Sequence, residues 1–139
     1  MDIQYYISEG DTPVRQATSG AAGFDLPTLS YSLVTNTLRT GTHFEIPEGH
    51  VGFLLPRSSS GIGLGLELKN TVGVIDSDYR GEIKAVIRPV LSQPFKKGDY
   101  NLQLVVVPVP SLTLQQVPSL DLLSSTARGK GGFGSTGGN

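Results

Sequence analysis

Turn-forming residues punctuate the 139-residue chain at intervals of about eight to twelve positions, and the stretches between them are short and β-branched or alternating. Such frequent interruption excludes long helices and fits an all-β barrel or sandwich, whose strands run about five or six residues. The expected strands are Ile3 to Ile7, Leu33 to Arg39, Thr42 to Ile46 and His50 to Leu55, the last two joined by a Pro47-Glu48-Gly49 turn. In Glu82 to Val90, the residues Ile83, Ala85 and Ile87 alternate with Lys84, Val86 and Arg88, as in a strand with one more apolar face. Leu102 to Val109 is a continuous apolar run; both faces are expected to be covered, which in so small a protein predicts a subunit contact. Only Ser58 to Leu66 suits a short helix, with serines to cap its start.

The turns draw on 18 glycines and 9 prolines, about 19% of the chain, which is below the roughly 25–30% that marks low-complexity sequence. The length fits one domain with a real core. From Ser124 onward the composition changes to STARGKGGFGSTGGN, without apolar periodicity, so the expected organisation is a domain over 1–123 and a flexible arm over 124–139. The chain has no cysteine, which removes disulfides, thiolate nucleophiles, zinc ribbons and iron–sulfur sites. A net charge of −1 argues against a duplex-binding surface. The start MDIQYYISEG lacks the features of an export signal and no apolar run approaches a membrane span, so a soluble, cytoplasmic protein is expected.

Four clusters carry chemistry. Gly129-Lys130-Gly131-Gly132-Phe133-Gly134 spells a literal G-x-G-x-x-G, but the chain ends five residues later, with no room for the helix and distant acidic residue of a dinucleotide site. The tail also offers Arg128, Phe133, Ser135 and Thr136: a cation, an aromatic face and two hydroxyls for a base and a polyphosphate. It is either a disordered glycine-rich terminus or a ligand-binding lid, and both hold for a segment that orders over a ligand. In PRSSSGIGLG, Arg57 and three serines suit a phosphate oxygen, although such loops are commonly plain connections. In NTVGVIDSDYRGEIK, Asp76 follows Val74-Ile75, so it is expected at a strand end with restricted solvation, either as a general base or as an ordinary turn aspartate. Asp76, Asp78 and Gly81 mimic the opening of a calcium loop, but Arg80 and Ile87 break the ligand set. AAGFDL gives Gly23 for a close backbone approach and Asp25 at a strand start, while His43 and His50 lack zinc-site spacing.

Taken in order, AAGFDL (21–26), PRSSSG (56–61), NTVGVIDSDYRGE (70–82), GDYNLQ (98–103) and RGKGGFGSTG (128–137) resemble the five motifs of the trimeric dUTP diphosphatases, the dUTPases. The resemblance implies a small jelly-roll-like β-barrel with at most one short helix, forming a homotrimer with three active sites at subunit boundaries. Motifs one, two and four would come from one chain, the third from a neighbour and the C-terminal arm from the remaining chain. It implies hydrolysis of dUTP to dUMP and pyrophosphate with Mg2+, which limits uracil incorporation into DNA and supplies dUMP for dTMP synthesis. By this analogy Asp76 activates the water that attacks the α-phosphate. Asn70, Gly73 and Val74 border a uracil pocket, and Tyr79 packs beneath the deoxyribose. Arg57, Ser58 and Ser59 hold phosphates, with Gln103 nearby, and Asp25 acts on the magnesium through its waters. Arg128 meets the terminal phosphate, Phe133 covers the uracil, and Gly134, Ser135 and Thr136 close on the nucleotide. The fourth motif departs from the usual GDRIAQ at Tyr100, Asn101 and Leu102, which puts local packing and trimer contacts in question.

Three rivals bound this assignment. The dCTP deaminases resemble the dUTPases in fold, but their catalytic glutamate aligns with Val86, and valine does no acid–base chemistry. A zinc deaminase needs cysteines that this chain lacks. The third, from another class, is a non-catalytic binding or regulatory module that keeps the nucleotide pocket, against which stands the presence of all the expected polar residues. A bare jelly-roll structural protein is the bland alternative and gives no reason for Arg57, Asp76, Tyr79 and the tail to coincide.

Overall fold

The computed structural model describes residues 1–90 and 94–134. Among the described residues, nine short strands form three antiparallel sheets, accompanied by one turn of α-helix, α1 (Ser58–Gly61), and a 3-10 turn at Leu120–Leu122. β1 (Gln4–Ile7) pairs with β5 (Thr42–Glu45). β2 (Gly23–Pro27), β9 (Tyr100–Pro108), β6 (His50–Pro56) and β7 (Gly73–Ile75) form the second sheet in that order. β3 (Ser30–Ser32), β4 (Thr37–Arg39) and β8 (Lys84–Val86) form the third. Leu26, Leu38, Leu54, Leu66, Ile83, Ile87, Leu102 and Leu104 are almost wholly buried in one shared core. Among the described residues no helix is long and apolar enough to cross a membrane.

The all-β expectation holds, with local differences. The expected strand Leu33 to Arg39 is broken into a hairpin: Asn36 adopts a left-handed φ of 53°, a conformation asparagine tolerates better than most residues, and Leu33 and Val34 are exposed at the tip. The expected helix Ser58 to Leu66 stops at Gly61, ahead of Gly63 and of Gly65 with φ +68°. Its N-cap is Arg57, with no side-chain cap from a serine. The alternation over Ile83 to Arg88 is correct face by face, but only Lys84–Val86 is a paired strand, followed by an isolated Leu68–Ile87 bridge. Asp25 lies in the middle of β2, where it pairs with Gln103, and not at a strand start.

Strand β9 pairs on both sides, so its alternation divides the second sheet cleanly. Leu102 and Leu104 face the core with Leu26 and Leu54. The opposite face carries Val51, Phe53, Leu55, Val105 and Val107, all only half-buried, and then Gln103 and Asp25. The chain leaves the sheets after Pro108, earlier than the composition change at Ser124. Almost all of 109–134 is exposed, including Leu112, Leu114, Leu120, Leu122 and Leu123.

One ion-pair network ties the first sheet to the third. Arg39 at the end of β4 contacts both carboxylate oxygens of Glu82 at 2.9–3.3 Å and reaches Glu9, just beyond β1, at 2.7 Å. Burial pushes the Glu82 carboxyl up, but hydrogen bonds from Arg39 and the Gly41 N–H outweigh that and hold it below its ordinary value of 4.5. A carboxyl depressed in the folded state adds stability that is fully present above its unfolded pKa and is lost as pH falls through the folded one. The Tm difference between wild type and Glu82→Gln is therefore expected to be full at pH 7 and to shrink below about pH 4.5; calorimetry across pH 3–7, about the range that spans carboxylate titration, checks it.

Candidate active site

The first polar cluster gathers where β2, β9 and the end of β6 meet. Cross-strand register places Gln103 beside Asp25 on one side and Leu55 on the other, so Asp25 and Gln103 lie two residues short of Arg57. Gln103 donates through Nε2 to the Pro56 carbonyl at 3.1 Å, in space that a Cβ on Gly23 would fill. Asp25 is 6% exposed and meets Arg57 Nε at 3.2 Å through Oδ1. Its Oδ2 takes Nε and Nη2 of Arg15 at 3.1 and 3.0 Å. Two guanidiniums on one carboxylate leave a net positive charge beside the exposed Ser58 and Ser59, a suitable setting for phosphate.

Arg15 was not among the sequence candidates, and neither were the residues that hold the cluster. The Arg15 guanidinium lies 4.1 Å from the Tyr100 ring centroid, and Tyr100 Oη donates to the Pro13 carbonyl at 2.8 Å. The Tyr100 carbonyl accepts from Arg57 Nη1 at 2.9 Å, and the Asn101 carbonyl accepts the Arg57 N–H at 2.9 Å. The buried Asn101 side chain accepts from Thr28 Oγ1 and donates to Ser60 Oγ, tying β9 to the α1 turn. The divergent fourth motif therefore positions the arginine–serine turn. Only the departure of GDYNLQ from its usual form could have signalled this.

The second cluster surrounds a groove between β7 and β8. Each of these strands is paired on one side only, so their other edges face each other across the gap. The inner part, about 460 Å³, is lined by residues including Asn70, Gly73, Val74, Lys84 and Val86. It continues into a space of about 310 Å³ lined by Val74, Asp76, Tyr79, Glu82 and Val86 among others. The Lys69 N–H bound to the Val86 carbonyl and the Leu68–Ile87 bridge close one end. Thr71, beside Asn70, holds a φ of 71°, a strained conformation for a β-branched residue at the rim. Asp76 follows β7 as expected, but its side chain is exposed in the single chain and not shielded from solvent.

These two clusters do not meet. β7 runs antiparallel to β6 with Ile75 opposite Gly52, so Asp76 continues toward the Val51 end of β6 while Arg57 leaves the other. Six residues of strand separate them, roughly 20 Å at the usual rise. Among the described residues the arm meets neither cluster through its hydrogen bonds: Arg128 Nε donates to the Gly131 carbonyl within the arm, and Phe133 is fully exposed. Gly134 has φ +84°, while Ser135 and Thr136 lie outside the described residues.

A small antiparallel domain with an arginine–serine turn at one sheet end and a carboxylate-rimmed groove between unpaired strand edges has the parts of a nucleotide-binding protein. Similarity to known proteins narrows that class. The dUTPase family model matches residues 11–137. A deoxyuridine 5'-triphosphate nucleotidohydrolase of Sinorhizobium medicae is 41% identical over 130 residues, covering 86% of this chain and 79% of that protein. One from Tropheryma whipplei is 38% identical over 144 residues, covering 99% and 96%. The fold matches that of the Staphylococcus bacteriophage 80alpha dUTPase with dUpNHpp at a TM-score of 0.78 and 23% identity, covering 96% of this chain and 97% of that one. This chain belongs to the dUTPase family.

Replacing Asn101 by Leu leaves the Thr28 and Ser60 hydroxyls without their buried partner. Urea denaturation should show a loss of about 1–3 kcal/mol, with a raised KM as the Arg57 turn loosens.

Proposed function

We propose that the chain hydrolyses dUTP to dUMP and pyrophosphate, with each active site assembled from more than one copy of the chain. The reading rests chiefly on one observation: the groove between the facing edges of β7 and β8, rimmed by Asp76 and Tyr79, is about 20 Å along the sheet from the Arg57 turn. A homotrimer in which the groove of one chain faces the Arg57 turn of another resolves that separation. The half-buried apolar face of Val51, Phe53, Leu55, Val105 and Val107 supports such an assembly, because solitary domains rarely leave a contiguous apolar face open.

In this assembly uracil enters the groove, where its imide donor and two carbonyls satisfy unpaired strand-edge groups, helped by Asn70. Gly73 leaves space for the ring and Val74 lines it. Tyr79 carries the deoxyribose on its ring. Arg57, Ser58 and Ser59, with Arg15 and Gln103 beside them, hold the phosphates. Asp76 removes a proton from a water molecule whose oxygen bonds to the α-phosphorus as the bond to the bridging oxygen of the β-phosphate breaks. The electron pair leaves with pyrophosphate. Restricted solvation of Asp76 then comes from the neighbouring chain and the nucleotide. The arm 124–139 closes over a neighbouring site, with Arg128 on the terminal phosphate, Phe133 over the uracil, and Gly134, Ser135 and Thr136 against the phosphates.

Magnesium fits this chain as a companion of the triphosphate. Among the described residues no three His, Cys, Asp or Glu side chains converge to cage a metal. Asp25 has carboxylate lone pairs beyond those its arginines occupy, so it can accept hydrogen bonds from metal-bound water. Bound there, magnesium would neutralise phosphate charge. In the cell the reaction would keep uracil out of DNA and supply dUMP for dTMP synthesis, in the cytoplasm.

Pyrophosphate release from dUTP, dCTP, dTTP and UTP, measured side by side with magnesium, should be confined to dUTP; release from none would mark a binding module. Asp76→Asn should lower turnover at least about 100-fold with nucleotide affinity nearly intact, and unchanged turnover would remove Asp76 from this role. Deleting Arg128 to Asn139 should preserve the folded assembly and abolish most activity, as rapid-quench and size measurements on the same sample will show.

A further inference from the structure

We infer that Arg39 is a positioning residue for sugar selectivity, acting through Glu82 to hold Tyr79 in the orientation that receives the deoxyribose. This deepens the proposed function and rests on its placement of Tyr79. Arg39 lies on β4, outside both polar clusters, and neither the motifs nor the groove lining includes it.

The linkage is continuous. Tyr79 Oη donates to the Glu82 backbone carbonyl at 2.9 Å, folding the ring back over Gly81, where a Cβ would strike the ring and its hydroxyl. The side chain of Glu82 is gripped from the other direction. Arg39 gives Nε to both carboxylate oxygens at 3.3 and 3.2 Å and Nη2 to Oε1 at 2.9 Å, and the Gly41 N–H adds a bond at 3.2 Å. Glu9 holds the far side of the guanidinium at 2.7 Å. The carbonyl that aims the tyrosine is one bond from a Cα whose side chain is fixed by a two-pronged, charge-assisted contact.

The loop's other ties end elsewhere. His43 Nδ1 is hydrogen-bonded to the Arg80 carbonyl at 2.8 Å, Arg80 reaches Glu45 at 3.8 Å, and the Ile83 N–H bonds the Thr42 carbonyl at 2.8 Å. They anchor the loop but do not reach the Tyr79 hydroxyl. Arg39 is raised above its ordinary value by the hydrogen bond to Glu82 first and Glu9 second, while Glu82 is held low, so the pair stays ionised at neutral pH. A ring free to tilt would open room for a 2′-hydroxyl, and so discrimination between dUTP and UTP depends on the grip.

The test is the ratio of kcat/KM for dUTP to that for UTP in the full-length protein. Arg39→Met should lower the ratio about two- to tenfold, the worth of one hydrogen bond, and Arg39→Lys, which keeps charge but loses the fork, should fall between it and wild type. Glu9→Gln, which loosens only the outer contact of Arg39, should leave the ratio unchanged. In a Tyr79→Phe background, Arg39→Met should have no further effect on the ratio, a non-additivity that general destabilisation would not produce. If Arg39→Met does not fold, the isosteric Glu82→Gln makes the same comparison. An unchanged ratio in Arg39→Met while Tyr79→Ala collapses it overturns the positioning role and leaves the proposed function standing, as does an equal fall with and without the Tyr79 hydroxyl. A ratio unchanged in Tyr79→Ala overturns the placement of Tyr79, and this inference with it.

Discussion

The register of β9 between β2 and β6 is the constraint on which the rest of the molecule depends. It pairs with Gly23 to Pro27 on one side and with His50 to Pro56 on the other. Since side chains alternate across a strand, this double pairing decides at once which residues enter the core and which lie outward. Leu102 and Leu104 are sealed inside, while Gln103 is set beside Asp25 and near the start of the Arg57 turn. A slip of one residue would bury Gln103 and expose both leucines, so the apolar core and the arginine–carboxylate cluster are specified together.

On the proposed reading, the same sheet explains why one chain would be incomplete as a catalyst. β6 leads into the Arg57 turn at its end while β7, paired along Gly52 to Leu54, exits toward its beginning, so the antiparallel arrangement that builds the core also holds Asp76 and Arg57 apart. On the proposed reading, association supplies what folding withholds. Burial of the outer sheet face and completion of the site then become one event, in which the exposed Asp76 loses solvent and gains a substrate.

Much of this was legible in the sequence because it depends on local rules. The Pro47-Glu48-Gly49 turn is closed by the His50 N–H on the Pro47 carbonyl, with Gly49 at φ +80°, as its residue types require. The alternation at Ile83 to Arg88 gave the correct faces. Other features lay beyond local rules. The Leu33 to Arg39 stretch is β-branched enough to pass for a strand, and only the left-handed Asn36 turns it. Arg15, Tyr100 and Asn101 matter through pairings across tens of residues, which no spacing encodes. The exposure of Asp76 in the single chain has a related cause: apolar neighbours in sequence do not shield a side chain that follows an edge strand.

The central claim is that the groove and the phosphate turn of one site belong to different chains, and subunit mixing tests it most directly. Asp76→Asn and Arg57→Ala chains, each nearly inactive alone, are unfolded, combined in equal amounts and refolded together. If each site takes Asp76 from one chain and Arg57 from another, random assortment restores both groups in about a quarter of the sites, and that share of wild-type dUTP hydrolysis returns. A mixture as inactive as its parents would place both residues of a site in the same chain and contradict the account.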